Sequence, residues 1–363
     1  MPQPIHNIAV WNTAFLGDAV LTLPLIRTLT LAFPGSRVDF YVRRGLSPLF
    51  AGHPALHAVY EYDKKSDTSR KAGSLLEFGR ILASRQYDLW IGAHPSIRSA
   101  ILARLSRAPI RVGYREGGLR FLFYTHCVSR HFGELHEIER LLELIKPVLP
   151  PDFNLDNPDC HWPELVLPET VRQEAEGFRH NLRLQGKRPL LGLHPGSVWG
   201  TKRWTPSGFA EIARRAATRG AHVLVFAGGG AEEAMAAEVI QLAGLHGNPL
   251  LHDLSGKLSL PELAAYLGIL DCYVSNDSGP MHLAWAQRTP VTALFGPTVE
   301  KWGFFPRGKD AHVFQVDLPC RPCGLHGPQV CPRGHHHCMT QISVEEVWKD
   351  VESRLFGSQT VRC

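Results

Sequence analysis

Ser275-Asn276-Asp277-Ser278-Gly279-Pro280-Met281-His282 closes a short apolar run that begins at Asp271 and leads into a helical pattern. Small residues at such a strand-to-helix turn free backbone N–H groups, and the helix dipole adds partial positive charge there. Upstream, Leu193-His194-Pro195-Gly196-Ser197 ends another apolar run and leads to Lys202-Arg203-Trp204. One turn of this kind is common. Two in one half-chain, one carrying a lysine and the other an Asp-Ser-Gly with a histidine a turn later, point to a diphosphate held between them.

Working outward, strands and helices alternate. Ile8–Trp11, Val38–Val42, Tyr87–Ile91 and Ile110–Gly113 read as buried strands, with helices from Ala19 to Phe33 and from Glu134 to Lys146. Pro147, Pro150, Pro151, Pro158, Pro163 and Pro168 then mark a break. Beyond it strands follow at Pro189–His194, Ala221–Ala227, Asp271–Ser275 and Val291–Phe295. Helices begin at Pro206, Ala231 and Ser278, and Val344–Phe356 is a last amphipathic helix. Alternation of this kind implies α/β units with parallel sheets, whose ligands sit at the carboxyl ends of the strands. The expected division is a Rossmann-like domain at 1–150, a proline-rich linker at 151–168, a second Rossmann-like domain at 169–345 and a helical tail at 346–363. The two domains are expected to face one cleft.

At 363 residues the chain exceeds one typical core. Its 44% hydrophobic and 20% charged content is that of a soluble globular protein. No apolar run approaches the roughly 18 residues needed to span a bilayer, and Met1–His6 lacks a signal-peptide pattern, which together predict a cytoplasmic location. The net charge of +5 is unevenly spread. Between Arg98 and Arg130 lie Arg104, Arg107, Arg111, Arg115 and Arg120, opposed only by Glu116. This is either a solvated basic face or a surface for an anionic acceptor or membrane leaflet, with Arg98, Arg115 and Arg120 the acceptor candidates. No nucleic-acid motif accompanies it.

In the first half, Asp18 follows strand one through Gly17 and falls at the N-cap of the helix expected from Ala19. Capping alone accounts for an aspartate there, at about 1 kcal/mol; the functional alternative is a general base at the carboxyl end of strand one. Gly228-Gly229-Gly230-Ala231-Glu232-Glu233 mimics a dinucleotide fingerprint, but Glu233 stands where the last glycine belongs, which disfavours NAD. Glu232 just inside that helix suits ribose hydroxyls, and Glu233 is the alternative. Lys202 on one turn and the open helix start at Asp277, Ser278 and Gly279 on the other neutralise phosphate in complementary ways, with His282 close by. Cys320-Arg321-Pro322-Cys323, Cys331 and Cys338 fall within 19 residues. A C-x2-C pair plus two further thiols is a tetrahedral metal pattern, with His335, His336 and His337 as spare ligands. A structural zinc or iron, an empty thiol cluster and disulfides all stay open.

Asn12-Thr13-Ala14-Phe15-Leu16-Gly17-Asp18, His194–Ser197, Lys202–Trp204, Asn276–His282 and Leu294-Phe295-Gly296-Pro297-Thr298 together resemble the ADP-heptose:lipopolysaccharide heptosyltransferases of glycosyltransferase family 9. The Thr13–Asp18 form is most similar to the heptosyltransferase II branch, and members often carry a similar cysteine pattern near the C-terminus. The resemblance implies a GT-B fold and inverting transfer of heptose from ADP-L-glycero-D-manno-heptose to the lipopolysaccharide inner core, with no metal needed. Asp18 would then be the base. Ser197, Lys202, Glu232, Asp277, Ser278, Gly279 and His282 would hold the donor. The acceptor, of the lipid A-Kdo type, would bring the protein peripherally to the inner membrane. Two alternatives are another nucleotide sugar on the same frame and a non-catalytic nucleotide-binding module.

Overall fold

The computed structural model describes residues 4–63, 73–116, 118–184 and 186–357, the side chains at 74, 120, 121 and 159 excepted. It divides into two units: 1–167 with 301–303, and 168–300 with 304–363.

The first unit runs β1 (Asn7–Trp11), α1 (Leu16–Leu21), α2 (Leu23–Ala32), β2 (Arg37–Arg43), α3 (Ser47–Phe50) and β3 (Ala58–Tyr62). It continues through α4 (Gly73–Ser84), β4 (Leu89–Gly92), α5 (Ile97–Leu105), β5 (Ile110–Tyr114), a 3-10 turn (Leu119–Phe123), β6 (His126–Val128) and α6 (Glu137–Ile145). All six strands are parallel, in the order β3-β2-β1-β4-β5-β6. This is the doubly wound order, and its direction reverses between β1 and β4. Trp11 stacks on Tyr41 at 5.4 Å and on Trp90 at 5.5 Å, and Leu82, Leu102 and Ala103 close over this aromatic layer.

The second unit runs α7 (Glu169–Leu184), β7 (Leu190–His194), α8 (Pro206–Thr218), β8 (His222–Val225), α9 (Ala231–Ala243) and β9 (Leu251–Asp253). Next come α10 (Leu260–Gly268), β10 (Cys272–Asn276), α11 (Gly279–Ala286), β11 (Val291–Phe295), β12 (Ala311–Gln315), α12 (His337–Thr340) and α13 (Val344–Phe356). The order β12-β11-β10-β7-β8-β9 repeats the first sheet's topology, so the reversal falls between β7 and β10. Fully buried Leu191, Leu193, Val223, Val225 and Val274 meet Phe209, Ile212 and Val239 from α8 and α9. Each such side chain contributes roughly 1.5–3 kcal/mol.

The expected fold class holds in both sheets, and local boundaries differ for identifiable reasons. The helix expected at Ala19–Phe33 starts at Leu16 and is interrupted at Thr22, whose hydroxyl donates to the Asp18 carbonyl at 2.7 Å. The N-cap is therefore Phe15, and Asp18 is the third helical residue. The proline-rich stretch 151–168 belongs to the first unit as far as Leu167. Cys160, Leu165 and Leu167 are buried, and the Glu164 carbonyl lies 3.1 Å from His53 Nε2. At the other end α13 is part of the second core, with Val347, Val351 and Leu355 buried. Asp350 fastens it, accepting from Thr292 Oγ1 at 2.6 Å and Arg354 Nε at 2.9 Å.

Gly113 on β5 lies directly under the Tyr124 ring, and a Cβ there would collide with it. Gly113→Ala is expected to destabilise the protein by about 1–3 kcal/mol, the usual range for overpacking. Urea unfolding measures this, and adding Tyr124→Ala should remove most of the increment that the alanine introduces.

Candidate active site

Parallel strands place their carboxyl ends at one edge, and the sheet reversal parts the loops that follow β7 and β10. In the second unit those loops carry His194–Ser197 and Asn276–His282. Asn276 is wholly buried and joins them. Its amide nitrogen donates to the Pro195 carbonyl at 2.8 Å, and its oxygen accepts from the Trp204 N–H at 2.9 Å. Asn276 thus holds both turns in one arrangement. It was visible in the sequence only as part of a motif, with no role assigned.

Lys202 ends a short 3-10 turn, Gly200–Lys202, and is 9% exposed. Its Nζ lies 2.6 Å from Asp277 Oδ2, and Thr298 Oγ1 donates to the same oxygen at 2.6 Å. Burial raises the Asp277 pKa, but the Lys202 charge and the hydrogen bonds from Lys202 and Thr298 outweigh it and hold the carboxyl below its usual value. Two residues expected to bind the donor are thus paired with each other, and Thr298 is a third member that the sequence reading passed over. His282 is buried, and burial with the Lys202 charge brings its pKa down to about 4, which leaves it neutral at pH 7, with no hydrogen-bond partner for Nδ1 among the described residues. Ser278 is the N-cap of α11. Its hydroxyl lies 3.2 Å from Ser275 Oγ, and among the described residues no side chain caps the helix, so its first N–H groups are open to a ligand.

Glu232, in the first turn of α9, reaches the β7 loop. Its Oε2 accepts from the Gly228 N–H at 2.9 Å and lies 3.7 Å from His194 Nε2. A Cβ on Gly196 would meet that carboxyl and oblige it to shift, so the glycine lets Glu232 keep this position. Glu233 points elsewhere, against Gly256. Ser197 is buried, and its carbonyl accepts from Arg203 Nε at 2.9 Å.

In the first unit the chain leaves β1 at Asn12. Asn12 Nδ2 donates to Thr22 Oγ1 at 2.8 Å and to the Asp18 carbonyl at 3.2 Å, and Asp18 Oδ2 accepts from the Phe15 N–H at 3.1 Å. Burial pushes the Asp18 carboxyl up to about 6, and the charge of Glu137 adds to this. The Phe15 N–H and Arg130 oppose it. Glu137 starts α6 and is bound by Arg140, whose Nε donates to Glu137 Oε2 at 2.7 Å, with Arg130 Nη2 3.6 Å away. Arg140 is wholly buried and also reaches the Trp302 carbonyl at 2.9 Å. The sequence signals nothing of this network beyond the Glu137–Arg140 spacing on one helix face.

The basic residue whose charge bears on Asp18 is Arg130. Arg98 lies in the first turn of α5, and Arg115 follows β5, its Nη2 3.4 Å from the Cys127 carbonyl. Arg120 falls in the 3-10 turn, and its side chain lies outside the described residues.

Cys320, Cys323, Cys331 and Cys338 are free thiols in one neighbourhood. Burial raises the Cys338 thiol to about 11, with Cys323, Cys331 and Cys320 adding to it against Arg321. The donor chemistry suits a thiophilic ion. Among the described residues, however, no group of three or more His, Cys, Asp or Glu side chains is placed to hold one. The loop that carries these thiols does grip the Lys202 turn. His336 Nε2 lies 2.8 Å from the Thr201 carbonyl, and Thr201 Oγ1 donates to the Pro328 carbonyl at 2.5 Å.

The model of glycosyltransferase family 9 (heptosyltransferase) matches residues 75–328. The chain is 26% identical over 352 residues to lipooligosaccharide heptosyltransferase 2 of Campylobacter jejuni, covering 95% of this chain and 98% of that one. It is 28% identical over 377 residues to lipopolysaccharide heptosyltransferase 1 of Pseudomonas aeruginosa, covering 98% and 100%. The structure of ADP-heptose lps heptosyltransferase II from E. coli superposes with a TM-score of 0.74 at 22% identity, over 96% of this chain and 98% of that one. A family model that spans most of the chain and relatives that match it almost end to end lead to one assignment: the chain belongs to glycosyltransferase family 9, the heptosyltransferases.

Proposed function

We propose that this protein transfers L-glycero-D-manno-heptose from ADP-heptose to an acceptor of the lipid A-Kdo type in the lipopolysaccharide inner core, with inversion and without a metal. The observation that carries this reading is Asp18, a carboxyl in the first turn of α1, the helix that follows β1, pushed up to about 6. A group so poised is ionised at neutral pH and still basic enough to take a proton. The acceptor hydroxyl would give its proton to Asp18 as its oxygen attacks the anomeric carbon, and ADP would depart from the opposite face. Lys202 and the open N–H groups of α11 would receive the charge that develops on the diphosphate. The names of the full-length relatives and of the E. coli structure support heptose and ADP-heptose as the sugar and donor.

Lys202 reaches a phosphate only by sharing its charge between that phosphate and Asp277, and Thr298 keeps Asp277 in place meanwhile. Glu232 is assigned to the ribose, because it is the acidic residue that borders the β7 loop. A lipid-linked acceptor implies work at the cytoplasmic face of the inner membrane. No described helix is long and apolar enough to cross a membrane. A structural zinc or iron is also proposed, one that would have to draw Cys320, Cys323, Cys331 and Cys338 together from their described positions and would thereby steady the Lys202 turn. No chemical step passes through that ion.

Asp18→Asn is expected to lower kcat roughly 10²–10⁴-fold while ADP affinity is kept; substantial transfer by that variant would remove Asp18 from the role. Because the carboxyl must be ionised, kcat/KM should rise with pH up to about 6 and then level. Glu137→Gln, which removes a like charge, should move that limb to lower pH. Lys202→Met strands a buried carboxylate, so it should destabilise the fold by about 3–5 kcal/mol as well as weaken donor binding. Adding Asp277→Asn should restore melting temperature but not turnover. Thermal shifts with ADP, UDP and GDP sugars test the donor, and selective stabilisation by ADP-heptose is expected. Elemental analysis of untagged protein tests the ion: full activity in metal-free protein would end that part of the proposal.

A further inference from the structure

Five of the twelve large apolar side chains exposed among the described residues fall on three short segments of the first unit: Leu76 and Ile81 on α4, Ile97 on α5, and Leu119 and Leu122 on the 3-10 turn. Their exposure runs from 46% at Ile81 to 68% at Leu119. The segments are neighbours, since α5 packs against α4 and also against the turn. Singly exposed leucines are ordinary on any protein surface, but several on adjoining elements mark a contact surface.

These residues are not the core face of their helices turned slightly outward. α4 already buries Leu82 and lays Leu75 and Phe78 on the aromatic layer, and α5 already buries Leu102 and Ala103. A surface helix normally presents polar residues opposite its buried stripe. On α4 the exposed arc instead sets Leu76 and Ile81 at its two edges with Glu77, Arg80 and Ser84 between them, and on α5 Ile97 stands exposed beside half-exposed Arg98. The charges among these residues are mostly of one sign. Arg80, Arg104, Arg107 and Arg115 are exposed and Arg98 is half-exposed, against Glu77 and a Glu116 whose carboxylate already accepts from Ser129 and Arg130.

We propose that the face built by α4, α5 and the Leu119–Phe123 turn docks this protein on an anionic phospholipid surface, its leucines and isoleucines entering the interfacial layer and its arginines meeting the headgroup phosphates. Apolar side chains framed by arginine, with few carboxylates, fit an anionic leaflet, where burial and charge attraction act together. The proposal rests on the reading of a lipid-borne acceptor and adds to it how the protein reaches that acceptor.

The test uses the full chain and vesicles of phosphatidylethanolamine with phosphatidylglycerol, with phosphatidylcholine vesicles as the neutral control and no substrate present. Wild type should co-sediment with the anionic vesicles and much less with the neutral ones. Leu119→Asp with Leu122→Asp, and independently Leu76→Asp with Ile81→Asp, should weaken that binding by at least about tenfold, with melting temperatures unchanged. Arg104→Glu with Arg107→Glu should weaken it too, and added salt should lose its effect on that variant. Transfer to a deacylated acceptor in solution should be the same in all of them. Wild type that ignores anionic vesicles, or apolar variants that bind them as wild type does, overturns the proposal. So does a result in which the variants change only self-association, which would make the face a protein interface. Failure of wild type to transfer heptose to the soluble acceptor would count against the transferase reading instead and leave the vesicle result standing.

Discussion

A wholly parallel sheet must carry its chain back across one face after every strand, so all the loops with chemical freedom lie at the carboxyl edge. Both sheets obey this constraint with the same strand order, and in each the order reverses after the first three strands. The residues assigned to catalysis and donor binding follow from that reversal. In the second sheet it parts the loops after β7 and β10 enough for side chains to enter, and Asn276 spans what is left by bonding to Pro195 and Trp204. In the first sheet the loop after β1 turns into α1 and delivers Asp18.

Two aspartates that follow these strand ends meet opposite fates. Asp277 sits against a lysine and a threonine hydroxyl and is held ionised. Asp18 has only backbone N–H bonds against desolvation and the charge of Glu137, and its carboxyl is pushed up to about 6. Environments that drive like groups apart in acidity separate their roles. A carboxylate that is already bonded and paired orients a neighbouring cation, whereas one left short of partners can accept a proton.

The central strands were legible because burial on both faces makes them continuous apolar runs, as in Ile8–Trp11 or Val291–Phe295. The four strands absent from the sequence reading, β3, β6, β9 and β12, are the four sheet edges. One flank of each is partly solvated, and their residues are mostly half-exposed, so hydrophobicity alone does not reveal them. The loops after β7 and β10 were legible as motifs because glycine, proline and serine at fixed places announce a turn. What lay hidden was which members pair: nothing local says that Lys202 is bound to Asp277, 75 residues away. The proline run also misled. Prolines signal a break in regular structure, yet Cys160, Leu165 and Leu167 within that stretch are buried in the first unit.

The most instructive case is Asp18, whose geometry and acidity come from different places. Its backbone is set locally, because Asn12 and Thr22 both bond to its carbonyl and Phe15 to its carboxylate, all within ten residues of chain. Its acidity is set first by desolvation in the folded chain and then from afar, by the charge of Glu137 at the start of α6 with Arg130 opposing it. That helix is itself tied down by Trp302 and Gly303, which come from the second half of the chain. A motif scan finds the first half of this arrangement and is blind to the second. Capping and the proposed catalytic role are not rivals here, since the hydrogen bond that completes the helix start also fixes the direction of the carboxylate. Its basicity is left to desolvation and to a charge network, both of which require the folded chain.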